Sequence, residues 1–329
     1  MSFAALTLAL GLAISTGASV VAPTPEDDES SSDAPEAKKG GATLTVWGKV
    51  GGRKWSVCAE RSAEAKRALS SFSDAPRKRS EHAWAGRARA CPNSIEVLQV
   101  AARKEAVQHF ALPDGLAKDT DFTELRESLT KSRARAAQWL LDARAEAQRQ
   151  GKPAPYATGY WLARVELSRG NLLAAQGYLD EARQEGAMSI SDLHQLAALI
   201  ALFRGELQGA HLEARLGLRN APANDQSGAR YIYALVLDRL GDDEGADRLF
   251  VSARSAGSPD AEGIDTMLPL HERLYFRGRL RMAQRGFDER GAIAFFRAYL
   301  AQPEVQAPER QLAQGHIDRL SRVPGRLGG

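Results

Sequence analysis

Residues 170–182 read GNLLAAQGYLDEA, and the pattern in this stretch decides the fold. A glycine and a polar residue open it, and leucines and alanines follow at helical spacing. The same arrangement returns from Gly205, from Gly241 and, more loosely, from Gly286, at steps of 35, 36 and 45 residues. A repeat period in the thirties indicates stacked helix hairpins, each of which buries its apolar face only against its neighbours.

Small residues recur where two helices of such a hairpin must approach closely. In the copy that opens at Gly170, Ala175 and Ala182 share one helix face. A glycine followed by Asn171, or by Asp242 in the third copy, suits a tight turn with one left-handed residue. We therefore predict an all-α chain built as a right-handed α-solenoid of antiparallel helix hairpins. Folds of this kind usually bind partners and rarely catalyse reactions.

The repeats resemble the tetratricopeptide repeat family between about residues 156 and 303. The matching positions are Leu162-Ala163, Gly170-Asn171-Leu172, Ala175 and Ala182 in one copy and Tyr233-Ala234, Gly241-Asp242, Ala246, Phe250 and Ala253 in another. The chain departs from the family's pattern in three ways. The early tryptophan is replaced, the residue after the turn is Leu or Asp instead of an aromatic, and a closing proline stands clearly only at Pro222 and Pro303. The resemblance implies a groove that holds a peptide or helix of another protein.

The N-terminus carries an uncharged apolar run from Phe3 to Ala22, followed directly by acidic sequence rich in Ser and Pro. Such a run is typical of a secretory signal peptide, with small residues near a cleavage point. It is also just long enough for an uncleaved membrane anchor. Both alternatives place the rest of the chain outside the cytoplasm, in the periplasm or tethered to the inner membrane. No Lys or Arg precedes the run, which is unusual for either.

The chain divides into five segments on these patterns. We predict a signal peptide or membrane anchor at 1–22, a flexible acidic and glycine-rich linker at 23–54, helical hairpins at 55–150, tetratricopeptide-like repeats with a C-terminal capping helix at 151–322, and a disordered tail at 323–329. Residues 255–269 lengthen one connection between repeats, either as a tolerated insertion or as part of a binding surface.

Two cysteines, Cys58 and Cys91, stand near opposite ends of two predicted helices. The first helix runs from about Trp55 to Phe72 and the second from about Ser80 to Ala90. In an antiparallel pair, the start of one helix lies beside the end of the other, so this spacing permits a disulfide. Oxidation is expected in an exported protein; the alternative is a pair of small buried thiols. Two cysteines without a matching histidine provide too few ligands for a metal site.

Composition and motifs argue against several function classes. The chain has 329 residues, of which 43% are hydrophobic and 26% charged, with a net charge of +3. These values are typical of a folded domain without a strong electrostatic partner. The basic cluster Pro76-Arg77-Lys78-Arg79 lacks the interleaved aromatic residues that nucleic-acid binding favours. The six histidines are scattered, and no serine-hydrolase or zinc-protease motif is found. We predict no catalytic residues, no metal and no cofactor.

The sequence thus predicts a non-catalytic scaffold of the bacterial cell envelope that binds a protein partner, with no nucleic acid and with membrane contact only through residues 3–22. By resemblance, such exported proteins assist envelope assembly, secretion or motility. The groove residues expected from repeat position are exposed side chains of the first helices: Tyr156, Tyr160, Arg164, His194, Arg230 and Tyr231. The alternative is a module built on an α-solenoid that binds or processes cell-wall glycan.

Overall fold

The turns between paired helices share one backbone geometry in the computed structural model of this chain. Gly170, Gly205 and Gly241 have φ of 79°, 77° and 83°, in the left-handed region that glycine tolerates best. The next residue along donates its N–H to a carbonyl five residues back, as Asn171 does to Glu166 at 2.9 Å. This bond satisfies a carbonyl that the helix end would otherwise leave unpaired. The left-handed turn predicted from the glycines is confirmed at these three positions.

The structure describes residues 46–70, 81–108, 110, 112, 116, 120–223, 226–255, 260–283 and 288–322. Across these ranges the chain is all-α, with fourteen helices and no strand. The helices are α1 Val46–Ser70, α2 Glu81–Ala90, α3 Ile95–Ala106, α4 Thr123–Arg149, α5 Thr158–Ser168, α6 Leu172–Glu185, α7 Ile190–Phe203, α8 Leu207–Asn220, α9 Ser227–Arg239, α10 Asp243–Ser255, α11 Asp260–Met267, α12 Leu270–Met282, α13 Glu289–Leu300 and α14 Ala307–Ser321.

Some predictions fall outside the described ranges. These are the signal peptide or anchor at 1–22, the linker as far as residue 45, and the tail at 323–329. The last part of the predicted linker, residues 46–54, belongs instead to α1. None of the helices within the described ranges is both long and apolar enough to cross a membrane.

Helices that follow one another in the chain pack as pairs. The pairs are α3 with α4, α5 with α6, α7 with α8, α9 with α10, and α12 with α13, and α4, α6 and α8 also contact the first helix of the next pair. Alanines fill the contacts within the pairs, and Ala175, Ala182, Ala210 and Ala246 are all buried. Two helix backbones come close at Gly159 of α5, where a Cβ atom would lie 2.9 Å from the Ala182 nitrogen.

Aromatic side chains fill the core in the C-terminal half. Tyr231 of α9, Phe250 of α10 and Phe276 of α12 have ring centroids 5.7 to 6.2 Å apart, and all three are buried. Burial of such large side chains is among the strongest sources of core stability. This cluster ties the α9–α10 pair to the α12–α13 pair.

Two long-range contacts add to the packing of neighbouring pairs. Arg126 at the start of α4 donates to Gln302 Oε1 at 2.7 Å, which links α4 to the segment between α13 and α14. The extension predicted at 255–269 contains the short helix α11, which packs against α5 and α9. Its residues Ile264 and Met267, and Leu268 just beyond it, are buried. Helix α11 and Leu268 are therefore part of the core.

Candidate binding surfaces

The sequence predicts an open groove lined by exposed side chains of the first helices. We call the sides of α5 and α9 that contact α11 the first-helix face. Tyr160 is 5% exposed, Arg164 3% and Tyr231 2%. The expectation that these three side chains are exposed is wrong. Tyr231 packs in the aromatic core with Phe250, and α11 lies over α5. A partner cannot reach them in this arrangement.

Arginines from α4 and α5 hold α11 in place. Arg164 donates through Nη2 to the Gly263 carbonyl at 3.3 Å and to Thr266 Oγ1 at 3.2 Å. Arg133 of α4 donates to the Thr266 carbonyl at 3.3 Å. Burial, together with the nearby positive charges of Arg273 and Arg164, lowers the pKa of Arg133 to about 9. The Gly263 and Thr266 carbonyl groups thus accept hydrogen bonds that attach α11 to α4 and α5.

The other predicted groove residues belong to three different parts of the chain. Tyr156 is 66% exposed in the connection between α4 and α5. His194 of α7 makes a 2.6 Å contact through Nδ1 with Glu213 of α8. Arg230 donates to Ser252 Oγ on α10 at 3.1 Å. Each of these two contacts joins the two helices of one pair.

An open cleft of about 660 Å³ lies between the α7–α8 turn, the α9–α10 turn and α14. We call it the terminal cleft. Part of its wall is apolar and half-buried, and the rest is polar or charged. The residues that line it include Phe203, Leu207, Leu312, Asp243, Gly315 and Arg319. Sequence reasoning missed this cleft because its walls come from three separate parts of the chain. The only signal was the prediction of a capping helix.

A buried polar cluster underlies the terminal cleft and joins three helices. Tyr275 of α12 donates a hydrogen bond to Asp238 of α9, and His316 Nε2 of α14 lies 3.0 Å from the Tyr275 hydroxyl. Arg279 Nη2 lies 3.3 Å from Asp238 Oδ1. Burial acts to raise the Asp238 pKa, but the hydrogen bond from His316 and the charge of Arg279 outweigh it, so the pKa is lowered. Asp238 therefore stays ionised in the interior.

A second buried pair lies beside this cluster. Arg239 Nη2 is 2.7 Å from Glu272 Oε2, and both side chains are almost fully buried. The guanidinium also lies 4.2 Å from the centroid of the Tyr275 ring. Burial opposes the charge of Arg239, but Glu272 overcomes that effect and raises the arginine pKa. These contacts fix the wall of the terminal cleft formed by the end of α9.

One trio of residues has a spacing that a metal ion could bridge. Asp238, Asp243 and His316 each offer a ligand atom, and these atoms lie within 4.8 Å of one another. Arginine side chains already contact them, because Arg279 reaches Asp238 and Arg319 Nη1 lies 3.2 Å from Asp243 Oδ2. A divalent cation would be repelled by both guanidinium groups. The surroundings of these three residues therefore favour an ion-pair network over a metal site.

A second cleft, of about 840 Å³, lies beside the cysteines. Cys58 of α1 and Cys91 after α2 form a disulfide, with a Cα–Cα distance of 5.6 Å. Of the two alternatives left open by the sequence, the structure has the bridge and not a pair of free thiols. Cys58, Ser62 and Lys66 of α1 form one wall of this disulfide cleft.

The chain matches no protein-family model, and neither the curated proteins nor the solved structures include one with significant similarity to it.

Proposed function

We propose that this protein is a non-catalytic protein–protein interaction scaffold of the bacterial cell envelope. We also propose that its helix pairs form a right-handed α-solenoid of the tetratricopeptide type. The repeat period, the shared left-handed turn at Gly170, Gly205 and Gly241, and the serial packing of helix pairs support this architecture. The apolar run at 3–22 supports export.

The proposed binding role rests on the presence of the terminal cleft. It is open, whereas α11 fills the first-helix face. Phe203, Leu207 and Leu312 present half-buried apolar surface beside the charged groups of Asp243 and Arg319. Protein-binding clefts combine apolar area for affinity with a few polar groups for orientation. We propose that the terminal cleft holds a peptide or helix of the partner protein.

A cleft-filling variant tests this function without disturbing the core. Gly315 of α14 lines the terminal cleft, and a Cβ atom there meets nothing within 4 Å. Gly177 on α6 is equally open but lies outside the terminal cleft, so it provides a matched control. Tagged full-length protein carrying Gly315→Trp or Gly177→Trp is cross-linked in envelope fractions and purified alongside the wild type.

We expect Gly315→Trp to lose a defined protein that the wild type and Gly177→Trp both retain. Equal recovery from all three would reject the terminal cleft as the binding site. Recovery of cell-wall glycan fragments without any protein would instead favour the glycan-binding alternative.

A further inference from the structure

Residues 57–70 of helix α1 bury little apolar surface against the rest of the described chain. Between residues 57 and 70, Ala65 is its one fully buried apolar side chain, and Ala68 and Leu69 are only partly buried. These three residues pack into a small cluster with residues of α2, α3 and α4. Apolar contact alone therefore holds residues 57–70 of α1 weakly, because apolar stabilisation scales with the area removed from water.

Polar contacts and the disulfide also attach residues 57–70 of α1. Ser62 Oγ donates to Glu96 Oε2 at 2.7 Å, and Glu64 Oε1 accepts from Arg87 at 2.7 Å. Glu64 is substantially exposed, and pairs of this kind contribute little net stability. The Cys58–Cys91 bond is the one covalent link between α1 and the segment that leads into α3.

The two sulfur atoms of this bond differ in accessibility. Cys91 is 2% exposed, whereas Cys58 is half-buried. Both residues line the disulfide cleft of about 840 Å³. A thiol from another molecule can therefore approach the Cys58 sulfur more easily than the Cys91 sulfur.

The surroundings of Cys91 favour its departure as a thiolate. Arg61 Nη1 lies 3.8 Å from Cys91 Sγ. A guanidinium group beside a sulfur stabilises the negative charge that forms when the disulfide opens. Thiol–disulfide exchange is faster when the departing sulfur is a better-stabilised thiolate. The accessibility of Cys58 and the charge stabilisation at Cys91 thus both favour attack on the Cys58 sulfur with departure of the Cys91 sulfur.

We propose that the Cys58–Cys91 disulfide is a thiol-exchange site, at which a dithiol reductant opens the bond and releases α1 from α3. A thiolate of the reductant attacks Cys58 Sγ, the bond between the two cysteines breaks, and Cys91 leaves as a thiolate beside Arg61. The second thiol of the reductant, after losing its proton, then attacks the mixed disulfide. Cys58 is released and takes up a proton, and the reductant becomes a disulfide, so the dithiol supplies both electrons.

This exchange is independent of the partner proposed for the terminal cleft, because that cleft is lined by parts of α7 to α10 and α14 and not by α1. An experiment that contradicts thiol exchange would therefore leave the proposed scaffold function unaffected. An experiment that contradicts binding in the terminal cleft would likewise leave the thiol-exchange proposal unaffected.

Adduct mapping on the wild-type full chain tests the direction of attack. The native protein is treated with glutathione, the products are trapped by acid, and the mixed disulfide is located by mass spectrometry. We expect at least tenfold more glutathione on Cys58 than on Cys91. Predominant modification of Cys91, or reduction no faster than global unfolding, would overturn the proposal.

Variants at Arg61 test the role of its charge. We expect Arg61→Gln to slow reduction by dithiothreitol roughly threefold and Arg61→Lys to restore most of the rate, because a nearby cation stabilises the departing thiolate. Arg215→Gln, which removes an exposed charge on α8, is the matched control. An unchanged rate in Arg61→Gln would contradict the proposed role of the guanidinium.

Hydrogen exchange measures the release of α1 directly. After reduction, we expect the amides of residues 57–70 to exchange at least tenfold faster, while those of α5 to α10 keep their rates. Unchanged protection of residues 57–70 after complete reduction would show that α1 stays bound, and would overturn the release step.

Discussion

Asp238 of α9 and His316 of α14 face each other in the interior, with 3.2 Å between Oδ1 and Nε2. Arg279 and Arg319 contact the other ring nitrogen of His316, Nδ1, at 3.5 and 3.3 Å. Since arginine only donates hydrogen bonds, Nδ1 accepts, and Nε2 carries a proton that it donates to the Tyr275 hydroxyl oxygen at 3.0 Å. His316, Tyr275 and the buried carboxylate of Asp238 thus tie the last helix to the array.

Asp238→Asn is expected to lower the free energy of unfolding by about 3–5 kcal/mol, because it removes the buried one of the two carboxylates that pair with the buried Arg279. Urea denaturation monitored by circular dichroism measures the change. Asp318→Asn on the exposed side of α14 removes the same charge and serves as the control. Equal stability of the two variants would contradict a structural role for the buried cluster.

The cost of Asp238→Asn is expected to depend on pH. The Asp238 pKa is lower in the folded protein than in the unfolded chain. Its carboxylate therefore stabilises the fold above the unfolded pKa of about 4, and this contribution disappears as the pH falls through the folded pKa. We expect the stability difference between wild type and variant to shrink below about pH 4. A difference that stays constant through acid titration would mean that charge is not the cause.

Alkaline titration is expected to leave two tyrosines protonated in the folded protein. Burial and the Asp238 carboxylate raise the pKa of Tyr275 well above its usual range, and burial and Glu272 raise that of Tyr299. Their phenolate absorbance should appear only together with unfolding. Tyr275→Phe should leave the reversible phase of the titration unchanged. A smaller reversible phase in that variant would show that Tyr275 ionises in the native state.

Gly159 and Gly177 are expected to respond to alanine in opposite directions. At Gly159 the added Cβ would lie 2.9 Å from a backbone nitrogen of α6, and Gly159→Ala should destabilise by about 1–3 kcal/mol. At Gly177 the space is open, and Gly177→Ala should stabilise by about 0.5–1 kcal/mol because alanine favours the helix. Thermal melts of both variants measure the shifts. Two shifts of the same sign would argue against the close approach of α5 and α6.

Ile264→Ala tests whether α11 belongs to the core. The side chain is almost fully buried, so we expect a loss of about 2–4 kcal/mol in the free energy of unfolding. Leu173→Ala is the control, since Leu173 is 86% exposed and its truncation should change stability by less than about 0.5 kcal/mol. A loss at Ile264 no larger than at Leu173 would identify the extension as a tolerated insertion.

Local features were predictable from the sequence because they depend on neighbours along the chain. The turn at Gly170 needs only the preference of glycine for positive φ. The spacing of Cys58 and Cys91 likewise permitted the bridge. Each of these predictions concerns one helix, one turn or one antiparallel pair.

The surfaces were not predictable because they depend on contacts between distant segments. Repeat position alone places Arg164 on the first-helix face, but its burial depends on Gly263 and Thr266 of α11. The terminal cleft similarly requires α14 to lie beside two turns from much earlier in the chain. Helical periodicity predicts which face of a helix is apolar, but it does not predict which later segment of the chain packs against that face.

The contact between Arg126 and Gln302 affects how the array of helix pairs unfolds. In a repeat protein stabilised only by nearest neighbours, the outermost repeats fray first and unfolding spreads inward. Here the beginning of α4 is held by the segment before α14, and α11 connects α5 with α9. Shortening the C-terminus would therefore loosen hairpins near the other end, and the helices from α4 to α14 should melt as one cooperative unit.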